Sequence, residues 1–111
     1  MKAREVAEKL NMIILTGDGD QEVTGLYTCD LLSWVISHAS SGDMWVTVMN
    51  NLNILAVASL ADVACIVLPE NVEADEKLLE RAQEKEITLI ATSRSAANVI
   101  AEASKWIESE R

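Results

Sequence analysis

The hydrophobic positions of this chain come in short runs that alternate between a helical and an extended period. Ala3, Val6, Ala7 and Leu10 share one face at helical spacing, while Lys2, Glu5, Glu8 and Lys9 fall elsewhere, which predicts an amphipathic first helix. Met12 to Thr16 follows as a short strand and is broken by Gly17-Asp18-Gly19-Asp20. Val23 to Tyr27 reads as an extended, hairpin-like piece, and Gly25 inside it marks a bulge or a close approach by another chain or ligand. The next helix, capped by Thr28 or Asp30, runs to about His38 with Leu31, Leu32, Val35, Ile36 and Ala39 as its apolar stripe. Asp30, Trp34 and His38, spaced i, i+4, i+8, line another face.

The centre of the chain carries the strongest pattern. Met44 to Val48 is a strand, and Asn50 or Asn51 caps a helix from Leu52 to about Ala61 that is apolar nearly all round. Such a helix must be covered, inside the fold or at a subunit interface. Cys65 to Leu68 is a continuous apolar run suited to a central parallel strand, stopped by Pro69. Asp75 to Lys85 is an amphipathic helix with Leu78, Leu79 and Ala82 inward, its acidic start and basic end matching the helix dipole. Ile87 to Ala91 is the last strand. Thr92 to Ser95 supply caps for a final helix that buries Ala96, Val99, Ile100 and Ala103, with Trp106 and Ile107, before a fraying tail from Glu108 to Arg111. Strands alternating with helices demand right-handed crossovers and a largely parallel sheet. The expected fold is α/β: one three-layer α/β/α domain over residues 1–111, with a mainly parallel sheet of four or five strands.

Composition narrows the function classes. In 111 residues that are 50% apolar there is room for one core and hardly for a second. A net charge of −9 repels phosphate backbones and anionic lipid, so no nucleic acid and no membrane are expected as partners. The greasiest stretch, Ile54 to Ala61, is far short of the roughly 20 residues that span a bilayer, and the charged start Met1-Lys2-Ala3-Arg4-Glu5 lacks a signal core. The cytoplasm is the expected location, with Cys29 and Cys65 reduced and buried.

Motifs that carry chemistry are tested and fail. Gly17-x-Gly19 would need a third glycine where Glu22 stands and a helix that does not start there, so a tight acidic turn is preferred to a dinucleotide loop. Asp18, Asp20 and Glu22 alternate like calcium ligands, but Val23 and Cys29 stand where the loop glycine and last glutamate belong. No P-loop and no nucleophile elbow exist, and a single histidine, His38, forbids two-histidine zinc motifs. His38 is free to pair with Asp30 or to stack on Trp34. The three tryptophans, in separate elements, are expected to fill core or interface space. What remains is a polar set at strand ends and helix starts: Thr16, Thr47, Asn50, Asn51, Asn53, Thr92, Ser93 and Ser95. In a parallel sheet these ends converge on one edge, where backbone amides can hold an anion or a nucleotide, although helix capping alone also accounts for Asn50, Asn51, Ser93 and Ser95.

Glu22-Val23-Thr24-Gly25-Leu26-Tyr27-Thr28-Cys29-Asp30-Leu31-Leu32-Ser33, followed by Trp45-Val46-Thr47-Val48, Asn51-Leu52-Asn53-Ile54-Leu55-Ala56-Val57-Ala58 and Cys65-Ile66-Val67-Leu68-Pro69-Glu70, resembles a DRTGG domain across nearly the whole chain. The signature arginine is replaced by Gln21 or Glu22, and its second glycine by Leu26 after Thr24-Gly25. The resemblance implies a fold like the N-terminal domain of HPr kinase/phosphorylase and an accessory role beside other domains. Small stand-alone members sit among iron-hydrogenase and redox genes, which implies a regulatory partner protein in that metabolism. A kinase label does not carry over, because the similar domain is not the catalytic one. The expected function is a non-catalytic regulatory module that senses a small molecule, nucleotides and anions being the candidates. It needs no cofactor, binds no metal, and forms a homodimer through the Leu52–Ala61 helix or the Trp34 face. The candidate ligand residues are Thr24, Gly25, Asp30, Thr47, Asn50, Asn53, Thr92 and Ser93. The other readings are an interaction scaffold without ligand and, last, a phosphotransfer enzyme or phosphoacceptor using Thr47, Ser93 or Asp30.

Overall fold

The computed structural model describes residues 1–107, and the fraying expected of residues 108–111 lies outside them. The elements are α1 (Ala3–Lys9), β1 (Ile13–Thr16), β2 (Gly25–Thr28), α2 (Leu32–His38), β3 (Asp43–Val46), α3 (Asn53–Ala61), β4 (Cys65–Leu68), α4 (Glu76–Glu84), β5 (Leu89–Ala91) and α5 (Ala96–Ala103). They form a five-stranded sheet in the order β1-β5-β4-β3-β2. β2, β3, β4 and β5 are mutually parallel, and only β1 runs antiparallel, against β5. The fold is therefore the α/β architecture expected, with Cys65 to Leu68 as the fully buried central strand.

One expectation about connectivity fails. β1 and β2 do not form a hairpin-like pair but lie on opposite edges of the sheet. The loop between them crosses the molecule and is fastened to α1, through Arg4 N–H to Gly19 O and Ala3 N–H to Gln21 O, both 2.9 Å. The Met1 ammonium pairs with Glu22, and Arg4 Nε reaches the Asp20 carboxylate at 3.1 Å. Asp18 accepts from Asp20 N–H at 2.9 Å, making the tight acidic turn.

Two hydrophobic clusters sandwich the sheet. On one face Val6 and Ala7 of α1, Leu10 just after it, and Val99 and Ala103 of α5 meet Met44, Val46, Val67 and Ile90. On the other, Val35 of α2, Ile54 and Leu55 of α3, and Leu78 and Ala82 of α4 meet Trp45, Ile66, Leu68 and Leu89. Period-2 alternation explains the split, since Met44 and Val46 point one way and Trp45 the other. Of the three tryptophans Trp45 alone is core, with its indole N–H donating to Cys29 O at 3.0 Å. Trp34 and Trp106 are about half exposed. Trp34 stacks on His38, ring centroids 3.9 Å apart, and Trp106 lies under the Lys9 ammonium.

The cover is incomplete. Leu31 and Ile36, expected in the buried stripe of the second helix, are both exposed, and so are Leu52 and Leu60 on either end of α3. Only Val35 of α2 is buried, because the helix is a short bracket over Trp45 rather than a full layer. Cys29 is half-buried rather than buried, while Cys65 is fully enclosed and its thiol is pushed up to about 12 by burial.

Candidate functional site

In a parallel sheet the carboxyl ends of the strands and the starts of the following helices meet along one edge. Here that edge holds the turns after β2, β3, β4 and β5, together with the start of antiparallel β1. The candidate residues do not gather there as one group. Thr47, Asn50 and Asn53 follow β3, Asp30 follows β2, and Thr92 and Ser93 follow β5. Thr24 precedes β2 and Gly25 opens it, so both lie on the opposite edge, beside Gly42. Gly42 has φ +85°, and a Cβ there would stand 2.2 Å from Thr24 Oγ1, so only glycine lets these two turns meet. Close approach at the Thr24-Gly25 segment is thus an approach of the chain to itself.

The β2–β3 corner is tightly self-satisfied. The Asp30 carboxylate accepts from Thr47 Oγ1 at 2.8 Å and from Val48 N–H at 2.9 Å through the same oxygen. Thr47 Oγ1 in turn accepts from Met49 N–H at 3.2 Å and is itself buried. Asp30 therefore ties two crossover turns together and does not cap α2, whose N-cap is Leu31 with no side-chain bond. Thr28 does not cap it either; its hydroxyl donates to Val46 O at 2.9 Å. At α3 neither expected asparagine is the N-cap, which is Leu52 without a side-chain bond; Asn51 Oδ1 accepts from Asn53 N–H at 2.9 Å in the turn before the helix, and Asn50 Nδ2 reaches across to Glu73 O at 2.7 Å. At α5 Ser95 is the cap, accepting from Asn98 N–H at 3.1 Å.

The β5 end is different, because it opens into a cleft of about 560 Å³. Its floor is apolar, made by Ile13, Leu15, Val72, Leu79 and Ala91; Thr92, Ser93, Asn11 and Asn71 supply its polar rim. The turn after Pro69 is clamped to the turn after β5 by Asn71 N–H to Thr92 O at 3.0 Å and Glu70 N–H to Arg94 O at 2.8 Å. Asn11, Glu70 and Asn71 all take left-handed backbone conformations, with φ of 54°, 54° and 59°. Asparagine tolerates that region better than most residues, and strained backbone gathers where a surface is shaped for contact. The volume falls within the range of small-molecule sites. Among the described residues no Lys, Arg or His lines it, and Glu73 is the one ionisable lining group.

Reading the sequence reached Thr92 and Ser93 but missed Asn11, Asn71 and the apolar floor. Asn71 follows the strand-stopping Pro69, and an asparagine in such a turn is a signal for left-handed backbone. Nothing in the sequence marks Ile13 and Leu15 as open, because Met12 to Leu15 is uniformly apolar.

The model of the DRTGG domain family matches residues 5–106. No curated protein matches the chain. Among solved structures, the crystal structure of the CBS and DRTGG domains of the regulatory region of Clostridium perfringens pyrophosphatase, complexed with its activator diadenosine tetraphosphate, superposes with a TM-score of 0.70 at 13% identity. The match covers 99% of the chain and 51% of that structure, so the chain spans about half of it.

Proposed function

Because this chain belongs to the DRTGG domain family, we propose that it is a non-catalytic regulatory module that senses a small molecule, a nucleotide being the ligand class, and acts through a partner protein. The observation that carries this reading is the cleft beside Thr92 and Ser93, with its apolar floor and a rim of hydrogen-bonding groups of which Glu73 alone, among the described residues, is ionisable. Such a site suits a purine base or a similar flat amphipath, with any phosphates directed outward, since no cation lines the walls to meet them. The structural likeness to a regulatory region crystallised with a nucleotide activator agrees with it. Phosphotransfer is disfavoured because two of its three candidate groups, Asp30 and Thr47, are bonded to one another, with Thr47 buried. The partner expected in redox or hydrogenase metabolism rests on the family resemblance alone.

The module acts as a homodimer through α2 and α3. Of 9 Lys and Arg and 18 Asp and Glu, Asp43 alone lies between Leu31 and Ala61, and it is buried. The outer side of this segment instead presents Leu31, Trp34, Ile36, Leu52 and Leu60. Two copies of a chain with net charge −9 approach each other at least electrostatic cost through a segment whose exposed carboxylates, Asp30 and Asp62, stand only at its two ends.

A thermal-shift screen with nucleotides, acyl phosphates and redox cofactors tests the sensing role. A nucleotide is expected to raise Tm saturably, and Ser93→Trp, which fills the cleft from an exposed position, is expected to remove the rise. A panel without any shift, alongside a captured partner, would replace sensing by the scaffold reading.

A further inference from the structure

On the face of the sheet that packs α2, α3 and α4, the helices stop short of the last strand. Leu78 and Ala82 of α4 enter the core over Leu68 and Leu89, and α4 flanks β1 without covering Ile13 and Leu15. Ile14 points to the opposite, covered face and packs with that cluster. Ile13 and Leu15 point to the open one, and Ile13 is 65% exposed. The cleft beside Thr92 continues past them into a second hollow of about 450 Å³ lined by Leu15, Thr16, Leu79, Glu80, Gln83 and Glu84. Leu15 and Leu79 belong to both hollows, so the two form one groove running along β1 and α4.

Three features define what fits this groove. β1 is the terminal strand of the sheet and carries neither lysine nor proline from Met12 to Thr16; its short length and the register shift between Ile14 and Thr16 limit an added strand to a few residues around Ile13. The groove floor repeats at strand spacing through Ile13 and Leu15, which matches alternate side chains of an added strand. Among the described residues, the ionisable groups lining it are Glu73, Glu80 and Glu84, and no Lys or Arg lines it. Arg81 pairs with Glu84 at 3.9 Å from the exposed surface of α4 without lining the groove. A second copy of this chain would bring those glutamates against their own counterparts, so the acidic rim selects a partner of opposite charge.

We propose that this groove docks an extended segment of the regulated partner, apolar at alternate positions and flanked by lysine or arginine, which adds to the free edge of β1 and seats two side chains over Ile13, Leu15 and Leu79. This deepens the reading of a module that works through a partner, and it adds a consequence. The ligand cleft and the docking strip share Leu15 and Leu79, so occupancy of one is felt by the other.

The test measures fluorescence anisotropy of two labelled eight-residue peptides on the ligand-free protein, one with alternating Val and Thr between paired lysines and one with the same centre between paired glutamates. The lysine peptide is expected to bind at least tenfold tighter. Glu80→Lys with Glu84→Lys, both at exposed positions on α4, is expected to reverse that preference, and Ile13→Asn to weaken the lysine peptide about tenfold. Equal binding of the two peptides, or an unchanged preference in the charge-reversed protein, would overturn the proposal. Ile13→Asn turning a dimer into a monomer in light scattering would do the same and make a second copy the occupant. The nucleotide-induced Tm shift, followed in the charge-reversed protein, fails only if the sensing role fails, so the two readings fall separately.

Discussion

Two apolar surfaces of this molecule look alike in hydrophobicity and differ in charge. The α2–α3 face presents Leu31, Trp34, Ile36, Leu52 and Leu60 in a segment whose only Lys, Arg, Asp or Glu is the buried Asp43. The β1–α4 groove presents Ile13, Leu15 and Leu79 under a rim of Glu73, Glu80 and Glu84. Apolar area supplies the driving force for association in both places, but it does not choose the partner. Charge does. A neutral face is compatible with its own image, whereas an acidic rim repels one and attracts a basic segment. One small, strongly acidic domain would in this way keep self-association and partner binding at opposite ends of one sheet face.

The comparison breaks most visibly if the neutral face is charged. Trp34→Glu with Leu60→Glu is expected to weaken self-association at least 100-fold, about 3 kcal/mol, read as a fall to monomer mass in light scattering, with peptide binding in the groove unchanged. Loss of groove binding in the same variant would merge the two surfaces into one. Asp30→Ala comes next. It strips the acceptor from buried Thr47 and from Val48 N–H, at an expected cost of about 1–3 kcal/mol in chemical denaturation, and loosens the turn that presents Leu31. A stability equal to that of the parent would mean that the corner is not held by this carboxylate.

Alkaline titration probes the interior between the two surfaces. Cys65 stays protonated in the folded chain up to about pH 12, while in the unfolded chain it titrates near 9.0. Between those values the unfolded state has released the proton and the folded state has not, so raising the pH removes stability, by up to about 1.4 kcal/mol per pH unit. Cys65→Ala, less stable overall, is expected to show a shallower alkaline decline. An identical decline would assign it to other groups. The smallest effect is ionic. Raising salt from 50 to 500 mM is expected to weaken the lysine peptide several-fold and leave the dimer unchanged, and equal sensitivity of both would erase the distinction.

Much of the fold was legible in the residues. The run Cys65 to Leu68, apolar at every position, belongs to a strand covered on both faces, and it is the central strand. Ser95 was readable among the caps of the last helix because a short polar side chain ahead of an apolar helical period has one common use, whereas Asp75, read as the first residue of its helix, is that helix's N-cap. The candidate site was legible only in part. Thr92 and Ser93 line the cleft, but Asp30 and Thr47 satisfy each other, and Thr24 and Gly25 stand at the far edge. Local pattern could not separate these cases, since a threonine at a strand end looks the same whether its hydroxyl faces a cleft or a neighbouring turn.

Order and type of elements, the single apolar core and the acidic surface were set by the sequence itself, because hydrophobic period, capping chemistry and net charge are properties of neighbouring residues and their sum. Which strand became the antiparallel edge, which leucines and isoleucines stayed uncovered, and which glutamates came to rim them were decided only when distant segments packed. Five short helices cannot cover both faces of a five-stranded sheet to its margin, and the uncovered residues are those that the helices, placed by their connections, did not reach.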